Sequence, residues 1–270
     1  MEFSELNARG LVLLGCGKMG SALLSGWLAR GLQPQAVHVI EPRPSDWLRG
    51  TGVHLNGDLP GDAAVAVLAV KPQMMGAALP QLAALGGGGT LFVSIAAGTS
   101  LATLAGALGE AAPIVRAMPN TPAAVGRGIS ALIGNARVGA EGLRLAEALM
   151  GAVGQVVRLD SEAQMDAVTG VSGSGPAYVF HLIEALAAAG QAEGLAPELA
   201  LQLARATVAG AGALAEESGE APGTLRENVT SPAGTTAAAL EVLMDEERGF
   251  PPLLRKAVAA AAARSRELGQ

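Results

Sequence analysis

Through its first 160 or so residues the chain alternates short apolar runs with segments whose apolar residues recur at helical spacing. The runs at 11–14, 37–40, 64–70, 90–95, 114–117, 129–133 and 153–158 read as strands. Segments 19–30, 73–85, 101–108 and 141–150 carry the amphipathic helical pattern. Strands alternating with helices imply βαβ units and a mainly parallel sheet. After about residue 160 the strand pattern stops. Val179, Leu182, Ile183 and Leu186 fall at helical spacing, and 198–217 and 252–268 also read as helices. The expected architecture is α/β: residues 1–160 form a Rossmann-type dinucleotide-binding domain, and residues 161–270 an all-α domain.

The helices of the second half are unusually apolar. Segment 176–193 is charged only at Glu184 and Glu193, and between Glu198 and Glu216 the next helix has only Arg205. A helix apolar nearly all round must be buried on most sides. A domain of this size has few interior positions, so burial against a second copy of the chain is favoured over packing on the first domain.

Composition narrows the class. Of 270 residues, 50% are hydrophobic and 16% charged, which excludes a disordered chain. Aromatics make up only 3%, so the core is expected to be Ala, Val, Leu and Gly. The net charge is −6 and no Lys/Arg-rich run occurs, so nucleic acid is not an expected partner. The one cysteine, Cys16, leaves no internal disulfide and suits a reducing compartment. The opening MEFSELNARG is polar, unlike a signal peptide, and apolar runs such as 63–70 are too short to span a bilayer. A cytoplasmic protein without membrane partners is the expectation.

The first strand runs into Gly15-Cys16-Gly17-Lys18-Met19-Gly20 and then a helix start. In such a G-x-G-x-x-G turn, Gly15 permits the tight bend and Gly17 lets a pyrophosphate approach the backbone. Gly20 allows close helix–strand packing. The helix N-terminus then offers free N–H groups to the phosphates. The second strand ends at Ile40-Glu41-Pro42-Arg43. An acid there suits the ribose 2′-OH of NAD, and an arginine (Arg43 or Arg49) suits the 2′-phosphate of NADP. Local chemistry therefore leaves the cofactor preference open.

The three histidines, His38, His54 and His181, sit in no polar motif and read as structural. No Ser/His/Asp set or metal-ligand cluster occurs, so no metal is expected. Hydride transfer to an already electrophilic C=N bond needs little acid–base machinery, because the cofactor carries the hard chemistry. Four segments look like site loops. Lys71-Pro72 ends a strand at the edge where ligands bind, and Lys71 can attract a carboxylate. Residues 118–122 form a turn stiffened by Pro119 and Pro122. In 171–176, Pro176 fits a first helical position with Ser174 or Gly175 as cap, giving an anion site or simply a capped helix. Residues 228–236 lie between two helices and offer N–H groups, glycine and hydroxyls, a nest suited to a carboxylate.

Taken together, Gly15-Cys-Gly-Lys-Met-Gly20, Ala69-Val-Lys71-Pro72, Ser94-Ile-Ala-Ala-Gly98, Arg116-Ala-Met-Pro-Asn-Thr-Pro122, Val168-Thr-Gly-Val-Ser-Gly-Ser-Gly-Pro-Ala-Tyr178 and Ser231-Pro-Ala-Gly-Thr-Thr236 resemble the pyrroline-5-carboxylate reductases in order and spacing. The likeness runs from about residue 10 to 268. It implies an intertwined dimer through the helical domain, with assembly to a decamer in many members. It also implies NAD(P)H-dependent reduction of L-Δ1-pyrroline-5-carboxylate to L-proline, the last step of proline synthesis. NADPH is the preferred cofactor by this likeness, and NADH is possible.

By the same resemblance, Gly15, Cys16, Gly17, Lys18, Met19, Gly20, Glu41, Arg43, Asn56, Ala69, Val70, Lys71, Pro72, Ala97 and Asn120 face the cofactor, with Asn56 near the adenosine ribose. Lys71, Asn228, Ser231, Gly234, Thr235 and Thr236 face the substrate, whose carboxylate the 231–236 backbone would hold. Thr236 is the catalytic candidate, hydrogen-bonding the ring nitrogen. Two positions depart from the pattern. Lys18 stands where many members have Asn, and Ala233 where Gly is common, which bears on that loop's dihedrals. Two rivals stand against this reading. A 3-hydroxyacid dehydrogenase has a similar plan but needs a lysine in its helical domain, and Lys256 is the only one after Lys71. A non-catalytic NAD(P) sensor leaves the polar 231–236 loop without a purpose.

Overall fold

The structure is a computed structural model and describes residues 3–269. The elements in chain order are α1 (Ser4–Arg9), β1 (Leu11–Leu14), α2 (Lys18–Ala29), β2 (Val37–Ile40), α3 (Asp46–Arg49), β3 (His54–Leu55), β4 (Val65–Leu68), α4 (Met75–Ala78), β5 (Leu91–Ser94) and α5 (Leu101–Leu108). They continue with β6 (Ile114–Met118), β7 (Gly128–Gly134), α6 (Ala140–Gly151), β8 (Gly154–Arg158) and α7 (Met165–Val168). The last five are α8 (Gly175–Ala192), α9 (Pro197–Ser218), α10 (Pro222–Asn228), α11 (Thr235–Leu243) and α12 (Phe250–Leu268).

The strands form one sheet in the order β3-β2-β1-β4-β5-β6-β7-β8. Every pairing is parallel except β6 with β7, where Met118 faces Ala131. The central strands β1, β4 and β5 are buried along their whole length, as strands covered on both faces must be. Side chains alternate between two cores. Leu11, Leu13, Val65, Val67 and Val93 join Leu23, Leu24 and Trp27 of α2 on one face. Val12, Leu14, Ala66, Leu68 and Phe92 meet Leu82, Leu104 and Leu108 on the other. Small aliphatics fill most of both layers, with Phe3 and Trp27 in one and Phe92 in the other as the aromatics. The Trp27 indole N–H, fully buried, donates to the Leu149 carbonyl at 2.8 Å.

The expected helix at 73–85 is broken. Pro72–Met74 and Leu79–Leu85 are 3-10 turns, and only α4 between them is α-helical. Pro80 has no N–H to donate and its ring clashes with the preceding turn, so an α-helix cannot run through it. The spacing of Met75, Leu79, Leu82 and Leu85 still buries one face.

The chain divides into two compact units: one up to Gly173 together with the stretch from Ala261, and another spanning Ser174–Ala260. The first unit thus runs past the change of pattern near residue 160 and includes the end of α12. In the second unit α8 and α9 pack together, but few side chains are buried beyond Ala187, Ala200 and Ala204. Phe180, Leu203 and Val242 are 59%, 48% and 72% exposed in the single chain. Among the described residues no helix is long and apolar enough to cross a membrane.

Candidate active site

The first unit holds a cavity of about 350 Å³ at the carboxyl ends of β1, β4, β5 and β6. Ligands bind at this edge in open parallel sheets because loops and helix N-termini converge there. The turn after β1 contributes Gly17, Lys18 and Met19, and the loop after β4 contributes Ala69, Val70, Lys71 and Pro72. Ala97 and Asn120, the remaining sequence candidates on its wall, follow β5 and β6. The charged residues lining it, Lys18 and Lys71, are both cationic.

Two glycines of the first turn, Gly15 and Gly20, are required by their surroundings. Gly15 has φ +91°, and a Cβ there would meet Val70 Cγ1 at 2.8 Å. At Gly20 a Cβ would come within 2.6 Å of the Gly15 carbonyl oxygen, so α2 can pack this close to the turn only without one. Gly17 has open space where a side chain would stand and is the N-cap of α2, with no side-chain cap bond. The turn therefore presents bare N–H groups, a positive helix end and room for a phosphate beside two lysines, which fits a dinucleotide pyrophosphate.

Gly15, Cys16, Gly20, Glu41, Arg43 and Asn56 do not line this cavity. Glu41 turns its carboxylate toward the turn, accepting the Cys16 N–H at 2.9 Å and the Arg43 N–H at 3.0 Å. Asn56, at φ 53°, uses both ends of its amide on the Glu41 backbone: Oδ1 accepts the Glu41 N–H and Nδ2 donates to the Glu41 carbonyl. Asn56 thus fixes the end of β2 and leaves the approach to a ribose to Glu41 and the arginine. The Cys16 thiol is buried, which raises its pKa; its hydrogen bond with Ser21 opposes this and the Glu41 charge adds to it. Burial in this way disfavours the thiolate, the reactive form of the group.

Asn120 is buried, and its Oδ1 accepts the Ile129 N–H at 2.9 Å, fixing the passage from β6 to β7. Ile95, Ala96, Met118, Pro119, Thr121 and Gly173 also line the cavity, although the sequence reading did not single them out as ligand contacts. Met118, Pro119, Thr121 and Gly173 belong to the site loops 118–122 and 171–176 read from the sequence, whereas Ile95 and Ala96 were marked only by following β5.

The helix expected at Pro176 does begin at Gly175, with Ser174 as N-cap and Pro176 in its first turn, but it follows the π-helical turn Thr169–Gly173 directly. Ser174 has helical dihedrals (φ −86°, ψ −22°) and makes no side-chain cap bond, and α7 and the π turn precede it directly. No exposed helix terminus exists there to bind an anion. Among the described residues no group of His, Cys, Asp and Glu is arranged to hold a metal. His38 and His54 stack at 4.5 Å, with one nitrogen each on the carbonyls of Asp58 and Gln35.

In the second unit the 231–236 loop leads into α11. Ala233 takes the left-handed region at φ 56°, where glycine is the usual residue. Gly234 is the N-cap of α11 with no side-chain cap bond, and a Cβ on it would lie 2.3 Å from Ser231 Oγ. The loop closes through Gly234 N–H to the Ser231 carbonyl, and the first helical bond is Ala238 to Gly234. The N–H groups of Thr235 and Thr236 precede that bond, so this turn is a candidate carboxylate cradle. Thr236 is half-buried beside them. Asn228 ends α10 and donates to Glu220 at 3.3 Å, away from this backbone nest.

Comparison with known proteins closes the question of family. Residues 162–268 match the pyrroline-5-carboxylate reductase dimerisation family, and residues 11–98 match the family described as NADP oxidoreductase coenzyme F420-dependent. Over 266 residues the chain is 41% identical to the pyrroline-5-carboxylate reductase of Pseudomonas aeruginosa, covering 96% of this chain and 97% of the relative. The chain belongs to the pyrroline-5-carboxylate reductases. The solved pyrroline-5-carboxylate reductase of Coxiella burnetii superposes with TM-score 0.88 at 36% identity, over 97% of this chain and 99% of that one. The Plasmodium falciparum pyrroline carboxylate reductase, solved with NADP bound, superposes with TM-score 0.83 at 28% identity, covering 98% and 99%.

Proposed function

We propose that this chain reduces L-Δ1-pyrroline-5-carboxylate to L-proline with NADPH, accepting NADH as well, as the last step of proline biosynthesis. The observation that carries the reading is the 41% identity with a pyrroline-5-carboxylate reductase across almost the whole of both chains. The relative solved with NADP bound supports the cofactor.

Residues up to 160 hold the nucleotide in this reading. Gly15, Gly17 and Gly20 shape the turn, and Lys18, Met19 and Ala69–Pro72 flank the phosphates and the ring-bearing end. Ala97 and Asn120 belong to the same wall, while Cys16, Glu41, Arg43 and Asn56 serve the adenosine side. When bound, the reduced nicotinamide supplies the hydride that reaches the imine carbon.

Residues 161–270 hold the substrate and the subunit contact. The backbone of Ser231, Gly234, Thr235 and Thr236 neutralises the substrate carboxylate and fixes which face of the ring is presented. Lys71 adds positive charge, and Asn228 supports the loop. Thr236 Oγ1 hydrogen-bonds the ring nitrogen. A threonine hydroxyl is too weak an acid to protonate an amine by itself, so it orients the nitrogen and passes on a proton drawn from water. The product gains one hydride at carbon and one proton at nitrogen.

The exposed apolar faces of α8, α9 and α11, with the dimerisation-family match at 162–268, support a homo-oligomer. We read it as a dimer that assembles to a decamer in the cytoplasm, without nucleic-acid or membrane partners. The direct test offers purified protein pyrroline-5-carboxylate with NADPH or NADH and follows loss of the dihydronicotinamide absorbance. Consumption only when the imine is present is expected; none with either nucleotide refutes the assignment.

A further inference from the structure

The loop after β5 forms part of the cavity wall through Ile95, Ala96 and Ala97. At its far end Gly98 has φ +78°, and a Cβ there would meet Leu268 Cβ at 2.9 Å and the Leu268 carbonyl carbon at 3.0 Å. On the other side, a Cβ on Gly269 would lie 2.3 Å from the Gly98 carbonyl oxygen. Two glycines thus allow the end of the chain to lie directly on the backbone of the loop. One turn earlier, Ser265 is only 2% exposed and its hydroxyl donates to Asp166 Oδ1 at 2.6 Å. Asp166 belongs to α7, which leads into the π turn whose last residue, Gly173, lines the cavity beside Met118. All these groups lie within the first unit, although α12 begins in the second.

We propose that the end of α12 is a positioning element of the cofactor cavity. Its backbone at Leu268–Gly269 sets the 95–98 loop, and Ser265 sets α7 and hence the π turn. Two walls that are distant in sequence are therefore registered by one short stretch near the end of the chain. A single-turn π bulge stores little stability of its own, so its geometry depends on such outside contacts. The loop is tied again at its exit, where Glu162 accepts the Leu101 N–H at 2.8 Å while pairing with buried Arg116 at 2.8 Å. Between these ties the loop has only a short turn at residues 97–98, and Gly98 packs against Leu268 there. None of the α12 residues lines the cavity, so they act through its walls.

The inference rests on the reading that this cavity takes the nicotinamide-bearing end of the nucleotide. The adenine end lies toward β2, on the other side of β1. The two ends can be probed separately. NADPH and 2′,5′-ADP, which lacks the nicotinamide half, are titrated calorimetrically into the wild type and into Ser265→Ala, Gly269→Ala and Asp166→Asn. In Ser265→Ala and Gly269→Ala the Kd for NADPH should rise roughly tenfold, below the roughly hundredfold that an ångström of misplacement can cost. The Kd for 2′,5′-ADP should stay within about twofold, well inside one decade of affinity. Asp166→Asn still accepts the Ser265 hydroxyl and should behave as wild type. Equal weakening of both ligands would show general destabilisation and overturn the proposal, as would unchanged NADPH binding in both α12 variants. A wild type that binds neither ligand would instead refute the proposed function, and this inference with it.

Discussion

The Glu41 carboxylate accepts the Cys16 backbone N–H at 2.9 Å, bracing the glycine turn with an acid from the end of the neighbouring strand. In the proposed reading these oxygens face the adenosine ribose at the end of β2. A 2′-phosphate would meet that negative charge, whereas a 2′-hydroxyl could donate to it. Glu41→Gln removes the charge and keeps one acceptor oxygen, so one of the Cys16 and Arg43 N–H bonds is retained. Selectivity for NADPH over NADH should rise about tenfold, the size expected for one partly screened charge pair. The check is the ratio of kcat/KM for the two nucleotides in variant and wild type.

Thr236 lies in the first turn of α11 beside the N–H groups assigned to the substrate carboxylate. Thr236→Ala should lower kcat/KM for the imine by roughly one to three powers of ten, through loss of contact with the ring nitrogen. Thr236→Ser keeps the hydroxyl and should recover most of it. Affinity for NADPH, measured separately, should not move. Kinetics unchanged in the alanine variant would remove Thr236 from the mechanism.

Ala233 pays for its left-handed φ of 56° in steric strain. Glycine adopts that conformation freely, although it gains more entropy in the unfolded chain. The net effect of Ala233→Gly should be stabilisation by about 0.5–1 kcal/mol. Denaturant midpoints of the two proteins at equal protein concentration decide it.

His38 titrates below its ordinary range: burial is the main cause, contact with the Asp58 carbonyl opposes it, and the charge of His54 adds to it. A depressed folded pKa means the unfolded chain takes up the proton more readily. Neutral His38 therefore contributes fully above the unfolded histidine pKa of about 6.5, and that contribution is lost as the pH falls toward the folded value. The urea midpoint should drop between neutral and mildly acidic pH, and His38→Gln should flatten that part of the dependence.

Much of the first unit was legible because its strands are buried on both faces. The continuous apolar run 11–14 then marks β1 to the residue, while Val37–Ile40, interrupted by His38 and buried at alternate residues, still marks β2. The glycine turn was legible for the same kind of reason, since strand, spacing and helix start leave one geometry. The broken helix at 73–85 shows the limit. Its apolar spacing survives in the burial of Met75, Leu79, Leu82 and Leu85, while Pro80 governs the backbone. Asn56 and Glu41 were legible as residue types but not in direction, because each is aimed by a backbone group far away in sequence. The end of α12 was readable only as a helix; its contact with Gly98 joins residues about 170 apart and leaves no local pattern. Ala233 is the opposite case. A departure from the family pattern pointed to its dihedral, and the backbone there is indeed left-handed.

The second unit buries little beyond a few alanines, while Phe180, Leu203 and Val242 face outward. A second copy of the chain covering those faces would add the burial that the second unit lacks by itself. Maturation is then a second-order process, and at low expression the finished catalyst accumulates with the square of the chain concentration. Subunits from two variants would mix during synthesis far more readily than afterwards, because exchange requires reopening the very layer that completes the fold.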